Sequence, residues 1–244
     1  MEFQDFKAFV LNKQSQDYQT PKYFKTIAER YPFLLPTDYS GKIDKNFDFT
    51  YLDGFWKSGW TELFVTYCEK IKPEFDKLLE EHRKKTKSKN TGNPDIEELN
   101  TLRNKGLPFI TDVKEKYGTA RVYWSSGTRV MNEAEFILDL LSSVTCMKCG
   151  KTPRTSDGRH LIWQTHGWIT NLCRDCFEKD WTNGKPLKKK DRKAFKEYRD
   201  ECRIDMPKMF CTESWSRDEG RLKKYWKDTN DGWLELDRTL KEGD

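Results

Sequence analysis

Long apolar runs are missing from this chain of 244 residues. Nothing approaches the roughly 20 consecutive apolar residues that cross a bilayer, so no membrane-spanning helix is expected. The opening residues Met1, Glu2, Phe3, Gln4, Asp5 and Phe6 show no basic stretch followed by an apolar core. No secretory leader is therefore expected, and the chain reads as cytoplasmic. Histidine is scarce, with three in all (His82, His160 and His166), and no HExxH motif, phosphate-binding glycine loop or nucleophile elbow is present. Hydrophobic residues make up only 35 % and mean hydropathy is −0.95, so much of the surface must be solvated. Nine Trp, ten Tyr and fifteen Phe nonetheless supply enough apolar area to exclude disorder throughout. Charge is not one-sided either: 45 basic residues stand against 40 acidic, a net of +5, too balanced to define a nucleic-acid binder by itself.

What is present is cysteine in pairs. Cys146 and Cys149 lie in Cys-Met-Lys-Cys-Gly, and Cys173 and Cys176 in Leu-Cys-Arg-Asp-Cys, with 23 residues between the pairs. A two-residue gap lets both thiolates of a pair face one centre from a tight turn, so two pairs can close a tetrahedral four-sulfur shell around Zn2+. Gly150 suits the left-handed turn of such a knuckle. Two disulfides or free buried thiols are the plainer alternatives, and a cytosolic setting disfavours disulfides. Four protein ligands leave no open position, so the metal is expected to brace the fold and not to react. Cys68, Cys202 and Cys211 read as ordinary thiols.

The periodicity predicts two short amphipathic helices between Glu2 and Arg30, then a loop with a short extended piece at residues 47–51. Trp60, Leu63, Phe64, Tyr67, Cys68 and Ile71 predict a core helix that resumes past Pro73 through Phe75, Leu78 and Leu79. Residues 82–93 read as a basic loop or linker. A short helix follows over 94–103. Two strands around 109–113 and 120–124 turn across Lys116, Tyr117 and Gly118, with Arg121 placed to pair with Glu115. Asn132 is the expected cap of the next helix, which carries Phe136, Ile137, Leu140 and Leu141 inward. Between the cysteine pairs, Leu161, Trp163, Trp168 and Ile169 predict a hairpin turning near Gly167, its tryptophans core. A helix at the second pair and another near 191–203 complete an α+β chain: mainly helical, with a small antiparallel hairpin and a four-cysteine zinc ribbon. The segments are a helical extension (1–52), a helix and hairpin core (53–145), the ribbon (146–182) and a basic, tryptophan-containing extension (183–244).

Two kinds of interaction surface suggest themselves. Arg83, Lys84, Lys85 and Lys87, with Lys185, Lys188, Lys189 and Lys190 beside Trp181, mix cations with an aromatic and suit a phosphate backbone, although a solvated surface explains the first group as well. Trp215, Trp226 and Trp233 are the anchors a protein partner would use. Asp112 and Glu115 resemble a carboxylate pair, but Lys114 and Lys116 beside them point to salt-bridged surface. An HNH-type nuclease needs a second metal held by a strand His and a later His or Asn; no His follows Cys176, and His160 lies just 13 positions before Cys173. His166 enters as a ligand only if a cysteine pair fails.

Residues 53–178 resemble a family of small zinc-ribbon proteins of bacterial genomes, prophages and phages. The resemblance is carried by Asp53-Gly54-Phe55-Trp56 with Gly59-Trp60, by the run from Val113 through Lys114-Glu115-Lys116-Tyr117-Gly118 to Tyr123, by Glu135, and by Cys146, Cys149, Trp168-Ile169-Thr170, Cys173 and Cys176. It implies a cytosolic, zinc-stabilised domain and no activity. The expectation is a non-enzymatic interaction protein, phage-encoded, that binds and blocks a host macromolecular complex such as a defence system. A nucleic-acid-binding zinc ribbon is the alternative, and an HNH-like nuclease a more distant one.

Overall fold

The computed structural model describes residues 1–12, 20–38, 40–43, 49–55, 58–153 and 161–205. The architecture is α+β, and the chain forms two compact units, Met1–Leu141 and Ser142–Asp244.

In the first unit, helices α1 (Phe3–Leu11) and α2 (Pro21–Arg30) bury Phe6, Val10, Tyr23, Phe24 and Ile27. Pro21 sits where a helix needs no N–H, and the Thr20 hydroxyl accepts from the Tyr23 N–H at 3.2 Å, so α2 starts where the sequence caps it. Helix α3 (Thr61–Thr86) runs unbroken through Pro73, burying Leu63, Phe64, Tyr67, Ile71, Phe75 and Leu79 on one face. Both early helices are tied to it: Lys7 pairs with Glu62, and Arg30 grips Glu69 through two bonds of 2.8 and 3.1 Å while the Tyr31 hydroxyl donates to the same carboxylate. Residues of segment 1–52 thus share the core of α3.

Several expectations need correction here. Part of the basic stretch 82–93 is helix, since α3 continues to Thr86 and stops where Lys87 turns left-handed (φ 55°) and Ser88 donates back to the Arg83 carbonyl. Of the extended piece at 47–51, residues 47 and 48 lie outside the described residues, while Tyr51 opens a 3-10 turn (Tyr51–Phe55) fixed by the Thr50 N–H on Asp53.

Helix α4 (Ile96–Arg103), capped by Asp95, precedes the hairpin of β1 (Ile110–Lys116) and β2 (Thr119–Trp124). Tyr117 and Gly118 both take positive φ (55° and 77°), the two-residue turn whose twist matches the strands. The register sets Lys114 opposite Arg121 and Glu115 opposite Ala120. Arg121 accordingly pairs with Asp139 at 2.7 Å, and Glu115 instead accepts from the Gly118 N–H. Lys114 pairs with Asp112, as surface carboxylates beside lysines do. Helix α5 (Arg129–Val144) begins a turn earlier than expected, because the Thr128 hydroxyl, not Asn132, takes the cap by accepting from Met131. Its buried positions are Met131, Ala134, Ile137, Leu138 and the run Leu140–Val144, with Phe136 only half-buried.

The second unit holds β3 (Leu161–Gln164), β4 (Asn171–Leu172), α6 (Arg174–Trp181), α7 (Arg192–Cys202) and β5 (Arg203–Asp205), with an antiparallel sheet in the order β4-β3-β5. Trp168 and Ile169 are not in a strand. Pairing stops at Gln164 and Asn171, and the intervening turn is closed by the Thr165 N–H on the Thr170 carbonyl, with Gly167 at φ 77°. Trp163 is core, as expected; Trp168 is 78 % exposed. Among the described residues no helix is long and apolar enough to cross a membrane.

Candidate metal centre

The first knuckle is built on a tight turn. The Gly150 N–H donates to the Cys146 carbonyl at 2.9 Å, the Cys146 N–H donates to Lys151, and Gly150 takes φ 79°, the conformation glycine adopts without strain. The second knuckle uses a helix start: Cys173 is the N-cap of α6, Cys176 lies in its first turn, and the Phe177 N–H donates to the Cys173 carbonyl. A helix N-terminus favours negative charge, so thiolates are well placed there.

These two turns bring the Sγ atoms of Cys146, Cys149, Cys173 and Cys176 within 4.8 Å of one another. All four thiols are free. Cys149 and Cys173 approach to 3.6 Å, far beyond the roughly 2.05 Å of a disulfide. Four sulfurs about 2.3 Å from one ion stand about 3.8 Å apart in a tetrahedron, so the cluster fits a metal ion. Sulfur crowding and burial favour the neutral thiols: the neighbouring Cys146 and burial push the Cys173 thiol up, and burial with Cys173 and Cys149 pushes Cys176 up to about 12. A cation in the centre reverses both effects by stabilising the thiolates.

Asn171, which no sequence motif marks, joins the knuckles. It is buried, its carbonyl accepts from the Met147 N–H at 2.8 Å, its Nδ2 donates to Ser143 at 2.9 Å, and its Oδ1 accepts from Gln164 at 3.0 Å. Lys148 of the first knuckle pairs with Asp180 of α6. Trp163, Leu172, Phe177, Phe195 and Cys202 pack with Cys146 and Cys173 in one apolar cluster, with Cys176, Leu187 and Tyr198 against it.

The described histidines stand apart from the sulfurs. His82 Nδ1 contacts the Leu78 carbonyl of its own helix, and the His166 ring lies edge-on to Tyr198 at 5.4 Å. His160 is outside the described residues, among which no second group of metal-binding side chains occurs. A shallow cavity of about 380 Å³ lies beside His166, lined also by Gln164, Glu201 and Cys202.

The two basic groups fare differently. Arg83 does not face solvent: it is 4 % exposed, bonds Glu98 through two nitrogens at 3.0 Å, and also reaches Glu80 and the Gly92 carbonyl. It is removed from the phosphate-contact candidates because its charge is spent inside the first unit. Lys84, Lys85 and Lys87 are exposed, as are Lys185, Lys188, Lys189 and Lys190 in the second unit. Trp215, Trp226 and Trp233 lie outside the described residues.

No protein-family model matches the chain, and no curated protein or solved structure matches it. The site is therefore read from its own geometry.

Proposed function

We propose that the four-cysteine cluster holds Zn2+ and that the chain is a non-enzymatic, zinc-stabilised interaction protein, working by occupying the surface of a macromolecular partner. An all-thiolate tetrahedral donor set suits zinc, and with four protein ligands its role is to fasten the two knuckles. Trp168 carries the reading. The Thr165 hydroxyl donates to the Trp168 carbonyl at 2.6 Å and accepts from Thr170 at 2.9 Å, so a stiff turn between the knuckles presents a large apolar ring to solvent. Burying that ring would have been the favourable choice for folding alone, whereas an exposed, rigid tryptophan is the type of anchor that dominates interfaces. The resemblance to bacterial and phage zinc-ribbon proteins supports a partner in a bacterial host. Affinity capture from bacterial extract, with nuclease treatment and quantitative mass spectrometry, tests this. The reading requires a nuclease-resistant partner lost on Trp168→Ala while zinc content is kept; equal capture by wild type and variant removes it.

A further inference from the structure

Between the end of α6 and the middle of α7 the chain carries Lys185, Lys188, Lys189, Lys190, Arg192, Lys193 and Lys196, against the single carboxylate of Asp191. All seven cations are exposed. This stretch of twelve residues therefore holds a larger positive excess than the whole chain, whose net charge is +5. Among the described residues the one ion pair within it is Lys193 with Glu197, at 3.9 Å between largely exposed side chains, too loose to neutralise the group.

The arrangement also opposes the helix. Helices favour acids at the N-terminus and bases at the C-terminus. Asp191 is the N-cap of α7 but makes no capping bond, the first turn has no acid, and Lys188, Lys189 and Lys190 precede it, while Arg199, Asp200 and Glu201 stand together at the far end. Cations outnumber the one acid at this end, so an anionic ligand there would relieve their conflict with the helix dipole, and conflicts of this kind gather at functional sites.

The surface is held in place by the metal unit. Phe195 of α7 is buried, Tyr198 stacks on Phe177 at 5.4 Å, and Phe177 follows Cys176 directly. Trp181, at the end of α6, lies on Tyr198 at 4.8 Å yet stays 42 % exposed. The turn from Trp181 into the lysines is closed by the Gly184 N–H on the Lys179 carbonyl and the Asn183 N–H on Asp180, a Schellman arrangement.

We propose that residues 185–196 with Trp181 form a binding surface for single-stranded nucleic acid, the cations holding the phosphodiester backbone and the indole stacking on an unpaired base. This goes beyond the interaction-protein reading above, adding a second surface separate from Trp168. A lipid surface fits less well, because α7 turns its apolar side chains Phe195 and Cys202 into the core and keeps no apolar face to insert.

Fluorescence anisotropy of the full-length, zinc-loaded chain with labelled dT20, U20 and a 20-base-pair duplex tests this. Single strands should bind more tightly than duplex, and with four phosphates neutralised affinity should fall about 50-fold between 50 and 200 mM salt. Replacing Lys188, Lys189 and Lys190 with Ser should weaken binding tenfold or more and flatten the logarithmic salt slope by about 2. The same change at Lys84, Lys85 and Lys87 should leave it unaltered. Trp181→Leu should cost about fivefold or more with the slope unchanged, and Trp181→Phe should restore most of it. Zinc content and circular dichroism verify that each variant folds. Absence of binding at 20 mM salt, indifference to the Lys188–Lys190 substitutions, or equal affinity for polyglutamate or anionic vesicles overturns the proposal. Such a result with Trp168-dependent capture intact removes this surface alone; loss of that capture with oligonucleotide binding intact removes only the Trp168 reading.

Discussion

Asn171 and Arg83 show what one side chain does that spacing alone does not announce. Asn171 meets the first knuckle through its carbonyl and Ser143 and Gln164 through its amide, all in a buried position. Asn171→Leu strands the Ser143 carbonyl and the Gln164 amide, and should destabilise the second unit by about 2 kcal/mol; faster loss of metal to a chelator, followed by a chromogenic indicator, checks it. Arg83 looked like one cation in a basic run, since its partner Glu98 lies on another helix. Arg83→Met leaves the half-buried Glu98 with its Ser88 and Asn90 bonds but without its counter-ion, and should cost about 2 kcal/mol in urea unfolding, most of it recovered when Glu98→Leu is added. Burial alone would raise the Glu98 pKa, but hydrogen bonds from Arg83, Ser88 and Asn90 outweigh it and hold it below the ordinary carboxylate value. Its stabilising contribution is therefore full above the unfolded value of about 4.3 and is lost as pH falls through the lower folded value. Wild type should lose stability below about pH 4 relative to Glu98→Gln, the two curves running parallel at neutral pH. The cysteines, by contrast, were legible because ligand geometry constrains sequence spacing directly; Asn171 was not, since a polar residue in a short strand usually faces water.

At the level of elements, periodicity was readable where one face is buried and misleading where a local bond decides. The core face of α3 continues from Leu63 to Leu79 across an exposed Pro73, whose ring points outward where it crowds nothing in the core. The start of α5 hinged on which of two cap-forming residues, Thr128 or Asn132, takes the Met131 N–H, and composition does not distinguish them. Strand β5 escaped notice because three residues, Arg203–Asp205, show no alternation; they are strand because β3 offers them an edge. The β1–β2 turn was legible from Gly118, yet Tyr117 also sits at positive φ, where its β-carbon is strained and its ring is 70 % exposed. Tyr117→Asn should therefore stabilise the first unit by about 1 kcal/mol, read as a raised urea midpoint at unchanged slope.

Across the whole molecule, the two units hold themselves together by different means. The first has a continuous aromatic core: Phe6 on Tyr31 at 5.2 Å, Phe33 on Phe75 at 5.0 Å and Phe55 on Phe64 at 5.3 Å, with Trp124 donating to Tyr67. Such a core is the basis for expecting its stability not to depend on a metal. The described part of the second has short strands of two to four residues and a small cluster in which cysteines themselves are members. A core of that size seldom folds unaided, and a metal held by Cys146, Cys149, Cys173 and Cys176 would supply what the apolar area does not. Two consequences separate this from a chain whose thiols are merely close. Purified protein should carry one zinc per chain, measured by plasma mass spectrometry, and Cys146→Ser should abolish it. Calorimetry should then show one transition lost or moved far down while the other stays within a few degrees, and a strong chelator added to wild type should reproduce that change. Since every thiol must surrender its proton to the metal, acid should do the same. A single transition indifferent to zinc, chelator and Cys146→Ser would mean that the four sulfurs meet without an ion between them, and the metal-braced reading of the second unit would fall with it.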